Sequence, residues 1–302
     1  MYDTYQIFGL NISSAVKLPV QPNLQANSDF ASDVVIEYGD TPVELVNPRA
    51  RGLHYQAAPG EFLLSVNNVA RYYVQGGNRI TIAPEAGASD DDVTVFLIGS
   101  VMAALLHQQN FLVLHASAIE VNGKSYIFAG SSGVGKSTLA AGFHKRGYSI
   151  IADDICAVNI KDGQPMVVPG LARLKLWSDV LKKLDIDITK LKLVRNEKEL
   201  EKYYFPTEKE SFSPVPIKSI FILDTNKNNL FETIPIAGAE KTDCLIGNTY
   251  RFKFLNGLDG KVDHFHKCAS VAGKASIHKI FRPSIGFSLN ELMNLLEAKF
   301  SE

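Results

Sequence analysis

One stretch of the 302-residue sequence has the residue types and the spacing of a phosphate-binding loop. The pattern G-x-x-x-x-G-K-[ST] is met at every fixed position, and a threonine follows it. The nine residues are Gly130, Ser131, Ser132, Gly133, Val134, Gly135, Lys136, Ser137 and Thr138. Glycines accept positive φ angles, which let successive backbone N–H groups point toward one anion. The stretch therefore predicts a site for the phosphates of a nucleotide, with ATP as the expected ligand.

Two side chains of this loop have separate expected tasks. Lys136 should reach the β- and γ-phosphates as a point charge, and the Ser137 hydroxyl should ligate Mg²⁺. An apolar strand before the loop and a helix at about 136–146 after it supply the context that the motif requires. The positive end of that helix would face the same phosphates. This context favours a nucleotide site over a glycine-rich turn without a ligand.

Two adjacent carboxylates, Asp153 and Asp154, close the strand that follows the predicted helix. Groups at this end of a strand meet at the ligand crevice of an α/β sheet. Phosphoryl transfer needs one carboxylate near the metal, and a second can accept the proton of the attacking hydroxyl. Successive strand residues point to opposite faces, so the pair can share the site only if the backbone turns there. The competing reading is that one of the two only caps or turns the chain.

Three histidines come next as candidates, and their patterns favour structural roles. His115 ends a strand upstream of the loop and, taken alone, is typical of a satisfied structural residue. His264 and His266 alternate with Phe265, which favours an exposed strand face over a metal site.

Two arginines could clamp a phosphate or a peptide carboxylate through paired N–H groups. Arg173 follows Gly170 in a predicted loop segment, which favours a functional role, and it is counted among the catalytic candidates. For Arg251 a surface or structural ion pair is the equal alternative.

The pattern of the chain predicts an α/β protein with two domains, at 1–109 and 110–302. The first is read as a β-rich antiparallel sheet that ends in an apolar helix at about 90–109, with Ser89 as its N-cap. The second holds an apolar strand, a hairpin around Asn122-Gly123, the loop and its helix, and a final helix at about 289–300. The charged, proline-containing stretch at 183–216 is either a solvated helix and loop or a mobile substrate-binding segment.

Composition and charge exclude some classes of partner. The net charge of −1 and a pI near 6.7 give no positive field for nucleic acid or for an anionic membrane. The most apolar run, at 93–106, is shorter than the roughly 20 residues that a spanning helix needs. Three cysteines without C-x-x-C spacing, and a start without signal-peptide features, predict a reduced, cytoplasmic protein. A homo-oligomer is left open.

About 40 residues resemble the catalytic domain of HPr kinase/phosphorylase. The resemblance runs from His115-Ala116-Ser117-Ala118 through the glycine-rich loop and Lys145-Arg146-Gly147 to Ala152-Asp153-Asp154. It implies the P-loop core that this family shares with phosphoenolpyruvate carboxykinases. It also implies that Lys136 binds phosphate, that Ser137 serves the metal, that Asp154 accepts the proton and that His115 is an active-site histidine. With Asp154 as the proton acceptor, Asp153 is the candidate carboxylate for the metal. Val167-Val168-Pro169-Gly170 stands where the family has Glu-Ile-Arg-Gly, so the resemblance supplies no further metal ligand there.

The whole chain looks more like the HPr-kinase-like proteins of lasso-peptide biosynthesis. Tyr5-Gln6-Ile7-Phe8-Gly9-Leu10 and Pro169-Gly170-Leu171-Ala172-Arg173-Leu174-Lys175-Leu176-Trp177 are similar to segments of theirs. This resemblance implies an ATP-dependent kinase for a serine, typically C-terminal, of a precursor peptide. Alternatives are an HPr-type protein serine kinase/phosphorylase, a small-molecule kinase of the same fold and a nucleotide sensor without turnover. The sensor is disfavoured because it would need no proton acceptor.

Overall fold

The computed structural model describes residues 2–23, 31–171, 173–194, 201–207, 213–227, 230–286 and 288–300. The α-helices of this described part are α1 (Asp90–Phe96), α2 (Met102–Gln108), α3 (Lys136–Lys145), α4 (Ser178–Lys183), α5 (Glu240–Gly247), α6 (Leu255–Leu258), α7 (Lys261–Lys274) and α8 (Leu289–Phe300). The strands are β1 (Asp3–Ile7), β2 (Leu10–Ser14), β3 (Val34–Tyr38), β4 (Ala50–Arg51), β5 (Tyr55–Ala58), β6 (Glu61–Val66), β7 (Ala70–Gln75), β8 (Arg79–Pro84), β9 (Leu112–Leu114), β10 (Ala116–Val121), β11 (Lys124–Gly130), β12 (Ser149–Ala152), β13 (Cys156–Lys161), β14 (Gln164–Val168), β15 (Arg173–Trp177), β16 (Lys192–Leu193), β17 (Lys202–Pro206), β18 (Val215–Asn226), β19 (Glu232–Ile236) and β20 (Ser276–Pro283).

The chain forms two compact units. The first holds Met1–Val113 and Tyr250–His266, and the second holds Leu114–Thr249 and Lys267–Glu302. The segment Tyr250–His266 therefore groups with the first unit, although the sequence-based division places it in the second domain. The domain bounds 1–109 and 110–302 stay a prediction.

A single sheet with the order β1-β2-β3-β8-β7-β6-β5-β4 forms most of the first unit. Side chains alternate between core and exterior along β7, where Ala70, Tyr72 and Val74 are buried. The predicted antiparallel pairing is confirmed for β1 with β2 and from β8 to β4, but β3 runs parallel to both β2 and β8. The long connection from Ser14 to Val34 makes a parallel crossover feasible, whereas a tight turn would not.

The predicted apolar helix at 90–109 is present but interrupted. Ser89 caps α1 by accepting a hydrogen bond from the backbone N–H of Asp92, as predicted. Buried residues Leu97–Val101 then form a π-helical turn before α2 continues to Gln108. No helix of the described residues combines the length and the apolar character needed to span a bilayer.

The core sheet of the second unit combines parallel and antiparallel strands. β11 lies parallel to β18, and β18 lies parallel to β20. The predicted hairpin is confirmed, since β10 pairs antiparallel with β11 through Asn122 and Gly123, both at positive φ. β12 pairs antiparallel with β10, and β19 with β20. The glycine-rich loop therefore follows a central strand of a mixed α/β sheet.

Helix α3 packs between this sheet and helix α8. The ring of Phe143 on α3 stacks on Phe128 of β11 at a centroid distance of 5.5 Å. A side chain at Gly142 would clash with Met293 of α8, so the glycine permits close approach of the two helices. α8 covers Leu289–Phe300, as predicted at 289–300. The packing fixes the helix that begins at the loop.

A small antiparallel sheet in the order β15-β17-β16 accounts for part of the charged stretch at 183–216. Within that stretch, residues 195–200 and 208–212 lie outside the described residues, as does Ala172 in the segment before β15. β17 pairs with β15 over its full length, from Lys202 opposite Trp177 to Pro206 opposite Arg173. The described residues of the stretch are thus strands in part, and the proposal of a mobile substrate-binding segment is untested.

The reading of His264 and His266 as an exposed strand face is wrong. Both lie on helix α7, and the His264 ring meets Phe252 edge-on at 5.5 Å. The alternation of polar and aromatic residues misled the interpretation, because three residues fit a strand and a helix equally well. The described residues contain no cluster of three or more His, Cys, Asp or Glu that could hold a metal ion.

Candidate functional site

The glycine-rich loop has a backbone that its glycines make feasible. Gly130, Gly133 and Gly135 have φ values of 139°, 82° and 107°. A Cβ atom at Gly130 would lie 2.5 Å from the backbone oxygen of Leu223 on the neighbouring strand β18. Other residues would therefore strain the loop or push it away from the sheet. Helix α3 begins directly after the loop, so its free N–H groups face the same space.

Lys136 is buried at the first position of α3, with 6 % of its surface exposed. Its Nζ donates hydrogen bonds to the backbone oxygens of Gly130 at 2.9 Å and Ser131 at 3.0 Å. Burial lowers the pKa of the Lys136 ammonium, while the nearby charges of Asp154 and Asp153 act in the opposite direction. The loop backbone thus contacts the ammonium of its own lysine, which places one cation within the phosphate-binding loop.

The carboxylate of Asp153 accepts three hydrogen bonds beside the loop. Its Oδ1 accepts from the hydroxyl of Ser137 at 2.8 Å and from that of Ser117 at 2.6 Å. Its Oδ2 accepts from the backbone N–H of Lys175 at 3.1 Å. Burial raises the pKa of Asp153, and these hydrogen bonds offset only part of that effect. A cation at this carboxylate would therefore favour its ionised form.

Asp154 has a left-handed backbone, with φ at 68°. This turn at the end of β12 brings both aspartates to the same cavity, which a regular strand would not. Its Oδ2 lies 2.9 Å from Nζ of Lys175, and its Oδ1 lies 3.3 Å from Nδ1 of His115. Burial alone would raise the pKa of Asp154, but the His115 hydrogen bond and the Lys175 charge outweigh it and hold the pKa well below the usual range. These two neighbours therefore keep the Asp154 carboxylate ionised.

A cavity of about 220 Å³ in the second unit joins these groups. Its lining includes most of the predicted site residues: His115, Ser132, Gly133, Gly135, Lys136, Ser137, Thr138, Asp153 and Asp154. The backbone oxygens of Gly130 and Ser131 accept hydrogen bonds from Lys136, and Val134 lines a neighbouring cavity. The loop, the aspartate pair and the histidine are thus brought together, and their individual roles stay predictions.

Arg173 does not line this cavity. Its guanidinium carbon lies 3.7 Å from the centre of the Tyr204 ring, a contact across the pair β15–β17. Stacking of this kind fixes a planar cation against an aromatic face. Arg251, in the first unit, has a positive φ of 55° and lies over the ring of Tyr250. The geometry thus places Arg173 against Tyr204 on the small sheet, and its catalytic role stays a prediction.

Five lining or supporting residues were not singled out as site residues from the sequence: Ser117, Lys175, Leu176, Trp177 and Lys202. Lys175 and Trp177 alternate with buried Leu174 and Leu176 on β15, and Leu176 lines the cavity together with them. Lys202 lies opposite Trp177, with its Nζ 5.1 Å from the indole. Burial lowers the pKa of Lys202. The sequence signals for Lys175 and Trp177 were this alternation and their place in the segment 169–177, one of the two segments that carry the second family resemblance.

An arginine outside the motif holds one backbone carbonyl of the loop through hydrogen bonds. The Nε and Nη2 atoms of Arg282, on β20, donate to the backbone oxygen of Val134 at 3.3 and 3.2 Å. Its Nη1 donates to the backbone oxygen of Pro283 at 3.0 Å. The carbonyl of the Val134–Gly135 peptide therefore points toward Arg282, and in this trans peptide the N–H of Gly135 points in the opposite direction.

Oxygen atoms around Asp153 suit a magnesium ion. A carboxylate and the hydroxyl of Ser137 converge within 2.8 Å of each other, and oxygen donors are what Mg²⁺ prefers. The carboxylate is also one whose pKa burial has raised, so a dication would relieve the cost of ionising it. Ser137 and Asp153 therefore fit the ion that the loop motif implies.

Comparison with known proteins adds little to this geometry. No protein-family model matches the chain, and no curated protein matches it. Among solved structures, the chain is similar to the Hpr(Ser) kinase/phosphatase from Coxiella burnetii at 14% sequence identity, with 62% of this chain and 91% of that chain covered and a TM-score of 0.31. A TM-score of this size carries no argument about fold or activity.

Proposed function

We propose that the second unit is an ATP-dependent, Mg²⁺-dependent kinase with a P-loop core of the HPr kinase / phosphoenolpyruvate carboxykinase type. The observation that carries the proposal is a single cavity that joins Lys136 and Ser137 of the loop to Asp153 and Asp154. Phosphoryl transfer needs a cradle for the phosphates, a place for the metal and an acceptor for one proton. This cavity offers residues suited to each of the three.

The loop binds and orients the triphosphate. Backbone N–H groups of residues 131–137 and the ammonium of Lys136 surround the terminal phosphates, where charge builds up during transfer. On phosphate binding, Lys136 exchanges its present acceptors, the carbonyls of Gly130 and Ser131, for phosphate oxygens. Ser137 and Asp153 would hold Mg²⁺, which when bound neutralises charge on the β- and γ-phosphates.

Asp154 receives the proton of the attacking hydroxyl. Its low pKa makes it a weak base, which suits a loose transition state in which proton transfer follows most of the bond breaking to the leaving group. The contacts with His115 and Lys175 fix the direction of the carboxylate. The two neighbours thus position the acceptor and keep it ionised before the substrate arrives.

The proposed phosphate acceptor is a serine hydroxyl of a peptide, with a C-terminal serine of a lasso-peptide precursor as the specific candidate. The sequence resemblances support this choice of substrate. A small-molecule kinase has one structural observation in its favour, the compact and polar cavity of about 220 Å³. An HPr-type protein serine kinase/phosphorylase is the remaining alternative. The proposed location of the protein is the cytoplasm.

An assay of ATP consumption with Mg²⁺ tests the proposed function. We expect turnover to depend on a peptide that ends in serine, and the peptide to gain one phosphoryl group by mass spectrometry. The matched peptide with alanine in place of serine should remain unmodified. Turnover with a metabolite alcohol but not with peptides would favour the small-molecule kinase, and binding of ATP without turnover on any acceptor would favour a sensor.

We predict that Lys175→Met moves the acid limb of the pH–rate profile to higher pH. The ammonium of Lys175 lowers the pKa of Asp154, so its removal raises that pKa. A carboxylate loses its base form as the pH falls through its pKa, so the variant should lose activity at a higher pH than the wild type. We expect a shift of about one unit or more, the usual effect of one close charge.

The matched control for this prediction is Lys192→Met, a change at an exposed lysine of the same small sheet. The control should keep the wild-type profile. An equal loss of activity at every pH in Lys175→Met, without movement of the acid limb, would contradict the assigned effect on Asp154.

A further inference from the structure

Three lysines line the cavity of the second unit, and two of them have partners that indicate a task. Lys136 donates to the carbonyls of the glycine-rich loop, and Lys175 pairs with Asp154 at 2.9 Å. The ammonium of Lys202 forms no ion pair with a carboxylate of the described residues. It is therefore the cation of this cavity that a ligand can use without breaking an existing ion pair.

An aromatic ring, rather than a carboxylate, holds the Lys202 ammonium. Lys202 on β17 lies directly opposite Trp177 on β15, and its Nζ lies 5.1 Å from the centre of the indole. An aromatic face attracts a cation but has no net charge with which to neutralise it. Lys202 is also partly buried, and this burial lowers its pKa. An anion bound at Lys202 would favour the charged form that burial disfavours.

Lys202 lies near the proposed proton acceptor. Among the charged groups around it, Asp154 has the largest effect on the pKa of Lys202, ahead of Lys175 and Asp153. The hydroxyl that gives its proton to Asp154 must lie within hydrogen-bond reach of that carboxylate. The cavity is compact, at about 220 Å³, so the groups next to that hydroxyl are the part of the acceptor that can reach Lys202.

A carboxylate on the acceptor matches this position. The terminal phosphates already have the loop N–H groups, Lys136 and Mg²⁺ as proposed partners, whereas the acceptor has no cation assigned to it. A lysine binds a carboxylate through charge-assisted hydrogen bonds. In a C-terminal serine the carboxylate and the hydroxymethyl group are bonded to the same carbon, so they can approach Lys202 and Asp154 together. A serine inside a chain has a neutral peptide group at that place.

We propose that Lys202 binds a carboxylate that the acceptor carries beside its reactive hydroxyl. The inference rests on the proposed function and adds the feature by which the kinase selects its acceptor. Two sources share this chemistry, a peptide that ends in serine and a small hydroxy acid. A serine followed by further residues lacks the anion and should be a poor acceptor.

The test compares two peptides of one sequence that end in serine, one with a free carboxylate and one with a C-terminal amide. We expect the wild type to use the free acid with a kcat/KM about tenfold or more above that for the amide, the effect of one charge-assisted hydrogen bond. Lys202→Met should abolish this preference by lowering kcat/KM for the acid alone. Lys202→Arg, which keeps the positive charge, should retain most of the preference.

Two further measurements separate this role from a contact with ATP and from a loss of folding. Lys202→Met should bind ATP with Mg²⁺ within about twofold of wild type by calorimetry. The matched control is Lys192→Met, at an exposed lysine of the same small sheet, which should keep the wild-type preference. N-acetylserine and its amide identify the source of the carboxylate. A Lys202-dependent preference for N-acetylserine, without turnover of either peptide, would support the inference with a small molecule as the acceptor.

Equal use of acid and amide by the wild type would overturn the inference and leave the kinase proposal standing. An equal loss for both peptides in Lys202→Met, or a parallel loss of ATP affinity, would also overturn it, because Lys202 would then act on the phosphates or on the structure of the cavity. Absence of turnover by the wild type on every acceptor would overturn the kinase proposal itself and this inference with it.

Discussion

Replacement of Lys136 by alanine should lower phosphoryl transfer about a thousandfold or more, the upper range for loss of one group that stabilises developing charge. The ammonium is buried at the centre of the loop and lies within hydrogen-bond distance of two loop carbonyls, so no other cation can take its exact place. Single-turnover measurement of phosphopeptide formation at saturating ATP separates this effect from weaker nucleotide binding. Calorimetry with Mg²⁺ then measures the affinity.

The control for this prediction is Lys124→Ala, a lysine-to-alanine change at the exposed start of the strand that leads into the loop. It removes one positive charge from the same unit and should leave turnover unchanged. Near-wild-type turnover in Lys136→Ala would show that the loop does not act on the transferred group, and the kinase proposal would fail.

The strand, loop and helix around the motif were predictable because local patterns determine each of them. The helix after the loop was predicted at about 136–146 and is present as Lys136–Lys145, with Gly147 at a positive φ after its end. The hairpin before it follows from Asn122-Gly123, a dipeptide that accepts the two positive φ angles of a tight turn. Such signals lie within a few residues of each other and need no knowledge of the rest of the chain.

Long-range pairing was not predictable in the same way. The parallel pairing of β3 with β2 and β8 depends on connections that carry no register signal of their own. The same holds for the small sheet, in which β15 pairs with β17 across an intervening segment and thereby brings Lys202 beside Trp177. The second wall of the cavity was therefore missed, although one of its strands, β15, alternates polar and apolar residues in the sequence.

The aspartate pair lies between these two cases. Its place at the end of a strand was predicted from the sequence, and the structure brings both residues to one cavity. The left-handed backbone at Asp154 brings the two carboxylates together. From the sequence we could say only that such a turn was required, not that it was present. Aspartate adopts this conformation more readily than most residues, so the residue type is compatible with the turn but does not predict it.

The second large prediction concerns Asp154, for which Asp154→Asn should lower the rate of transfer about 10²- to 10⁴-fold, the usual contribution of a proton acceptor. Asparagine keeps the size and the tolerance for a positive φ of 68°, but it cannot take the proton. The matched control is Asp162→Asn, because Asp162 also has a positive φ, at 51°, and lies exposed in the turn between β13 and β14. That variant should transfer phosphate at the wild-type rate.

The affinity for ATP separates loss of the proton acceptor from damage to the loop. Asp154 pairs with Lys175 and His115, while the loop lysine contacts Gly130 and Ser131, so Asp154→Asn should leave the contacts of the loop in place. We therefore expect the rate of transfer to fall while ATP binding, measured by calorimetry, stays within about twofold of wild type. A parallel loss of both would show that Asp154 supports the structure of the cavity, and a normal rate would show that the hydroxyl gives its proton to another group.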